Sequence, residues 1–508
     1  MRYTNPIIFA DYSDPDVIRV GEDYYMVASS FNYTPGVPVL HSRNLVEWEL
    51  VNYVFDRLPF DRFDKVCAGD GAWAPAIRYH GGKYYCVIPF PDEGIYVSEA
   101  QDPRGKWSPL RPLIVGKGII DPCPIWTDGK CYLAVAFAKS RAGFNSCIGL
   151  YEVSEDLTEC LSDGYKIIYD GHDNNPTIEG PKFYRRGEYF YILAPAGSVR
   201  SGWQVALRSK DVYGPYESKI ILMQNDSFVN GPHQGALVDL PDGKWAFVHF
   251  QDMRAYGRVI HLQPAVWLND WVICGEVRDE YLAGTPVEGG EYPVDVKTRY
   301  SIPESDNFKG KELSLIWQTP ANKGGGWYSL EGGLRLNCVK CGELLKDVPQ
   351  VFTTKITRPS FTAEVRLDAQ FTSDGDEAGV IVTGEEEYAY VRVCRQNGTN
   401  YIQLRFGDAD GEERFTNMPT RRKKVVIKII VENHYHSFDY MFKVNGIKLP
   451  YAFDGMPGKW VGAKLGLYAR NIGQDSDGFA EFKYFKIGDL KAKDKAKAKK
   501  KHFECTYE

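Results

Sequence analysis

Apolar and polar positions along the first 250 residues fall into short runs, and one phrase recurs five times. A glycine turn opens an aromatic-rich apolar run at Gly21 (GEDYYMVAS), Gly82 (GKYYCVIPF), Gly129 (GKCYLAVAF), Gly187 (GEYFYILAP) and Gly243 (GKWAFVHF). Glycine in a tight turn between two apolar runs is a hairpin signal. The steps between these glycines are 61, 47, 58 and 56 residues. Self-similarity at such a period, rich in hairpins and poor in helical stretches, predicts a β-propeller, and five phrases predict five blades. The stretch 177–194 shows the unit: a carboxylate at Glu179, a strand over 181–185, a turn at Arg186-Gly187 and a strand over 189–193.

From about residue 296 the phrase stops. Alternating strands between polar turns, such as the cluster Ser373-Asp374-Gly375-Asp376, run to about residue 489 and predict a β-sandwich. Residues 491–501 hold seven lysines and one aspartate, the composition of a solvated, disordered tail. The chain therefore reads as all-β: a five-bladed propeller over 1–295, a β-sandwich over 296–489 and a Lys-rich tail over 490–508.

Each phrase is preceded by a chemically capable residue. Asp14 lies seven positions before Gly21, Trp73 nine before Gly82, Asp121 eight before Gly129, Glu179 eight before Gly187 and His233 ten before Gly243. The innermost strand of a propeller blade runs along the central channel. A shared offset then gathers five side chains around one axis, at one end. Each has a bland alternative when taken alone. Asp14 in SDPD and Asp121 in DPCP suit Asx turns, Glu179 before Gly180-Pro181 suits a loop, and Trp73 and His233 suit a core. Their common phase within the repeat favours the shared pocket.

Composition narrows the chemistry. With 508 residues the chain exceeds one ordinary domain. Aromatics make up 14%, which suits β-structure and sugar stacking, and a net charge of -6 argues against a nucleic-acid partner. Eleven cysteines without framework spacing imply reduced, mostly buried thiols. The lone Cys338-Val339-Lys340-Cys341 lacks the second pair that a zinc site needs. The N-terminal residues show no signal peptide and no run is long enough to span a membrane, so the expectation is a cytoplasmic protein without membrane contact. Assembly into a homo-oligomer stays open.

Three carboxylates around one axis, with no cysteine nucleophile or serine triad, suit cleavage of a glycosidic bond. One carboxyl protonates the leaving oxygen, and another activates water or attacks carbon. A third can raise the pKa of the acid and orient it. Phe31 and Trp73 supply an apolar platform for a sugar face. Arg258 could donate paired hydrogen bonds to hydroxyls. A non-catalytic carbohydrate-binding propeller and a WD-type interaction propeller compete with this reading. Retention of three carboxylates argues against the first, and the absence of Trp-Asp dipeptides in the phrase argues against the second.

At these residues the chain resembles glycoside hydrolase family 43. The matching motifs are Asn5-Pro6-Ile7 with Ser13-Asp14-Pro15-Asp16, Phe31 with Pro35-Gly36-Val37 and His41-Ser42, Trp73-Ala74-Pro75, Ile120-Asp121-Pro122 and Ile178-Glu179-Gly180-Pro181. The C-terminal region resembles the β-sandwich of β-xylosidase and α-L-arabinofuranosidase members. The resemblance implies hydrolysis with inversion. Asp14 would be the general base, Glu179 the general acid and Asp121 the residue that tunes and orients the acid. It implies that no cofactor is required, although members often hold Ca²⁺ or another cation on the axis near the histidine matching His233, which also faces substrate. A sandwich loop closing one side of the pocket implies exo action. Gly257-Arg258-Val259-Ile260-His261-Leu262 resembles the hemicellulose-debranching branch of the family. The expected substrates are thus xylo- or arabino-oligosaccharides carrying terminal β-D-xylose or α-L-arabinofuranose. An endo-acting, arabinanase-like hydrolase is the alternative.

Overall fold

All five turn glycines stand at positive φ, between +60° and +81°. A side chain would be strained there, and open space surrounds each site. Each glycine joins the first two strands of a four-stranded antiparallel sheet in this computed structural model, which describes all residues except 280, 281, 409, 435, 436, 493, 495–498 and 501–508. The five sheets cover residues 16–55, 76–115, 119–170, 182–223 and 233–274, with strands in chain order from the axis outward. Their inner strands are Asp16–Val20, Ala76–His80, Ile119–Thr127, Lys182–Arg186 and His233–Asp239.

The aromatic-rich phrase is apolar throughout because each second strand buries both faces. In Asp23–Val27, Tyr24 and Met26 pack on blade five, whereas Tyr25 and Val27 pack on blade two. In Tyr189–Ala196, Phe190 and Ile192 face blade three, and Tyr191 and Leu193 face blade five. This is the period of two in a strand covered on both sides. Five such buried clusters, one between each pair of adjacent blades, close the ring. The N-terminal segment reinforces the closure. Arg2–Thr4 pairs with Gly289–Glu291, and Ile8 bridges to Ile260 of blade five.

Residues 296–304 run along blade one before the sandwich begins. Asn44 Nδ2 donates to the Val296 carbonyl at 3.0 Å, and the Thr298 N–H donates to Glu47 at 3.1 Å. The sandwich has two sheets whose inner faces share one core, with Val365 and Leu367 from one sheet and Val380 and Val391 from the other. Ala255 and Tyr256 of the propeller belong to that same core. Thr34 and Thr319 exchange backbone hydrogen bonds of 2.9 and 2.7 Å, a second seam between the domains.

Within the Lys-rich tail, Asp494 lies 3.2 Å from Lys443 and Lys499–Lys500 pairs with Tyr451 and Ala452 of the sandwich. The rest of the predicted tail lies largely outside the described residues. The ten described cysteines are all free, with Cys338 buried and Cys341 partly buried.

Candidate active site

Asp14 sits in the turn that leads into the first inner strand, at φ +56°. Its side chain is 10% exposed. Ser29 Oγ donates to Asp14 Oδ2 at 2.5 Å. Arg258 Nη1 lies 3.3 Å from Asp14 Oδ1 and donates to Ser13 Oγ at 2.7 Å. Asp14 thus faces a hydroxyl donor and a guanidinium, partners whose hydrogens suit a carboxylate acceptor.

Asp121 lies in a β-bulge, where the pairing with the neighbouring strand shifts between Ile120 and Cys123. A bulge re-aims a side chain, and here the residue stands at φ +54° and is 3% exposed. Burial, then the charges of Glu179 and Asp14, push its carboxyl well above the usual range. The Gly180 N–H, which donates to Asp121 Oδ2 at 2.8 Å, pulls partly the other way. The three carboxylates thus meet across three blades, and crowding of like charge favours a retained proton.

Glu179 is the most open of the three, with 41% of its side chain exposed. Its N–H donates to the Pro195 carbonyl at 3.1 Å. Gly180 follows at φ +59°, where a Cβ would lie 2.7 Å from the buried Gln234 side chain, so any other residue would be strained and would displace Gln234. His233 Nε2 lies 3.2 Å from Glu179 Oε1. The structure therefore sets the predicted His233 against the predicted acid.

Phe31 also stands in the left-handed region, at φ +52°. Its backbone exchanges hydrogen bonds of 2.8 and 3.0 Å with Ala72. This brings its ring to 6.3 Å from that of Trp73. Positive φ at Asp14, Phe31 and Asp121 costs about 1–3 kcal/mol each. Such strain persists only where the surroundings hold it, and it clusters at functional sites.

One layer further along the inner strands, charged groups fill the axis. Asp16 of blade one accepts from Arg78 Nη1 of blade two at 2.6 Å, and Lys182 Nζ of blade four lies 3.8 Å from its other oxygen. Arg78 Nη2 reaches Cys123 Sγ of blade three at 2.8 Å. Calcium takes six to eight oxygen ligands. Among the described residues, the buried axial atoms without a hydrogen-bond partner include one ring nitrogen, His233 Nδ1, and one carboxylate oxygen, Asp16 Oδ1, and the layer of Asp16 already holds two cations, Arg78 and Lys182. These donors fit a resident calcium poorly.

Four contributors to the site were not named as site residues from the sequence. Ser13 accepts from Arg258 and Ser29 donates to Asp14; Ser13 stands inside the quoted Asp14 motif without a role of its own there, and no pattern in the sequence points to Ser29. Trp460, from the sandwich loop 455–462, is 49% exposed and meets Trp73 edge-on at 6.3 Å. Arg141 lies over the same Trp73 ring, 5.4 Å from its centroid. A cleft of about 750 Å³ between propeller and sandwich is lined by Arg258, Asp252, Gly257, Met456 and Trp460. Arg258, expected at substrate hydroxyls, directs Nη1 to Asp14 and Ser13.

Residues 3–272 match the family described as glycosyl hydrolases family 43, and residues 305–488 match the β-xylosidase C-terminal concanavalin A-like domain. The chain belongs to glycosyl hydrolase family 43. It is 39% identical, over 70% of its length, to a Xylanibacter ruminicola protein that bears a β-xylosidase name, and covers 66% of that protein. It is 27% identical to a non-reducing end α-L-arabinofuranosidase of Bacteroides ovatus, with 95% of this chain and 94% of the relative covered. Among solved structures, a bifunctional GH43-CE protein of Bacteroides eggerthii superposes with a TM-score of 0.84 at 25% identity, covering 96% of this chain and 64% of that one. The family carries the five-bladed propeller and sandwich seen here, and its members are glycoside hydrolases.

Proposed function

We propose that the protein is an exo-acting, inverting hydrolase that removes terminal β-D-xylose or α-L-arabinofuranose from hemicellulose oligosaccharides. The observation that carries this reading is the contrast among the three carboxylates. Asp14 faces Arg258 and Ser29, Asp121 is buried and pushed up, and Glu179 is half open beside His233.

Glu179 donates its proton to the glycosidic oxygen, and the bond from that oxygen to the anomeric carbon breaks. Asp14 accepts a proton from water, whose oxygen bonds to the anomeric carbon from the opposite face. The products are a free sugar of inverted anomeric configuration and the shortened chain, and proton exchange with solvent resets both carboxyls. Asp121 stays close to both groups and holds the Gly180 backbone, which orients Glu179. Trp73, Phe31 and Trp460 form an aromatic wall that suits one terminal sugar, and it disfavours a through-running chain as an endo enzyme needs. The β-xylosidase and α-L-arabinofuranosidase names of the relatives support the same substrate class.

Proton NMR of a β-xyloside digest tests the stereochemistry. α-Xylose is expected before mutarotation, and β-xylose as the first product would overturn the inverting assignment.

A further inference from the structure

Asp11 is 4% exposed and lies behind the site, where propeller and sandwich meet. Its Oδ1 accepts the Arg258 N–H at 2.9 Å, and its Oδ2 accepts the Gly462 N–H at 3.0 Å. Lys464 Nζ stands 3.8 Å from the same Oδ2. Arg258 faces Asp14, and Gly462 ends the sandwich loop that carries Trp460. One buried carboxylate therefore touches both elements.

The backbones at this joint are as close as glycine permits. A Cβ on Gly257 (φ +83°) would lie 2.5 Å from Asp11 Cγ, and a Cβ on Gly462 would lie 2.6 Å from the Gly257 nitrogen. Next to it, the Ala463 N–H donates to the Ala255 carbonyl at 2.8 Å. Tyr256, part of the sandwich core, donates its hydroxyl to the Pro359 carbonyl at 2.6 Å. The segment 255–258 is thus rooted in the sandwich at one end and reaches Asp14 at the other.

We propose that Asp11 is a positioning residue for hydrolysis, which couples the Trp460 loop of the sandwich to the strand that presents Arg258 to Asp14. The sandwich then helps to set the geometry of a site whose carboxylates all come from the propeller. A plain counter-ion for Lys464 would need neither backbone hydrogen bond. The inference rests on the glycosidase reading for its kinetic arm only.

The experiment is a double-mutant cycle between Asp11→Ala and Trp460→Ala, read as kcat/KM on nitrophenyl β-D-xylopyranoside and α-L-arabinofuranoside. Limited trypsinolysis after the exposed Lys459 is followed in parallel by mass spectrometry. In the wild-type background Asp11→Ala is expected to cost more than about tenfold, and in the Trp460→Ala background less than about threefold, the signature of coupled residues. Asp11→Asn, which retains an acceptor oxygen, should fall between, and cleavage after Lys459 should quicken in Asp11→Ala below its melting temperature. If Asp11→Ala does not fold, Asp11→Asn carries the same cycle. Independent, multiplicative effects with unchanged cleavage after Lys459 would overturn the coupling. If the wild-type protein turns over neither glycoside, the glycosidase reading fails, and Lys459 cleavage alone decides whether Asp11 holds the loop.

Discussion

Arg258 Nη1 stands 3.3 Å from Asp14 Oδ1, across 244 positions of the chain. Both side chains are about 10% exposed, so the pair is little screened by water. Removing one partner of a buried pair leaves an uncompensated charge. Arg258→Met should lower kcat/KM by about 10²-fold or more, from the 1.5–3 kcal/mol worth of a hydrogen bond to a charged group plus lost orientation. Arg258→Lys should recover part of the loss, because it restores charge without the planar fork. Initial rates beside thermal melts check this, and a fully active Arg258→Met would remove Arg258 from the account.

Asp121 carries the raised titration of the carboxylate trio, through burial first and then Glu179 and Asp14. Asp121→Asn removes one carboxylate and the like-charge crowding it creates. The falling limb of log kcat/KM against pH should move to lower pH. Rates on substrates with poor leaving groups should drop further than rates on nitrophenyl glycosides, since protonation of the leaving oxygen matters most there. A pH profile that overlays the wild-type curve would contradict a tuning role.

Trp460 contributes ring area to the pocket from a loop outside the propeller. It is about half exposed, so Trp460→Ala should change the melting temperature little. Loss of a stacking face should raise KM by about tenfold, of the order expected for an aromatic contact. Kinetics on xylobiose and xylotriose read this directly, and a selective loss of kcat without change in KM would assign the residue elsewhere.

Of these features, the propeller and the gathering of Asp14, Asp121, Glu179 and His233 were legible because each blade repeats one register. The glycine marks the first turn, and the offset then names the residue at the mouth of the channel. The apolar run Tyr24-Tyr25-Met26-Val27 was legible as a strand for the same reason, whereas the burial of both its faces depends on the neighbouring blades. Trp460 and Asp11 were not, because no period links the sandwich loop to the propeller and their partners are set by how the domains dock. Arg258 was found, but its partner depends on the left-handed turn at Asp14, which composition does not reveal. The repeat phrase ends with blade five, whereas residues 296–304 still lie along blade one.

Two buried imidazoles give the propeller a pH-dependent stability. His249 stacks on His261 at 5.4 Å, with Gln263 Nε2 3.1 Å from His249 Nε2 and Gln251 Oε1 3.1 Å from His261 Nε2. Burial holds His249 down to about 4, against the pull of the Phe250 carbonyl, and holds His261 well below its ordinary value. Because the folded pKa lies below the unfolded one, the unfolded chain binds protons first as pH falls. The stability from the neutral rings is complete above about 6.5 and is lost as pH falls through about 4. For His249 the loss is on the order of 3 kcal/mol. Melting temperatures between pH 7.5 and 4 should fall less steeply for His249→Gln than for the wild-type protein, and parallel slopes would contradict the assignment.

The most direct test of the central claim is initial rates on nitrophenyl β-D-xylopyranoside, nitrophenyl α-L-arabinofuranoside and xylobiose, with Glu179→Ala alongside. Glu179 is half open and its truncation removes a proton donor without core volume, so the variant should fold as the wild-type protein does. The account predicts turnover of at least one glycoside by the wild-type protein and a loss of about 10²–10⁴-fold on xylobiose in the variant, the usual worth of a positioned acid. Unchanged hydrolysis by a folded Glu179→Ala variant would contradict it.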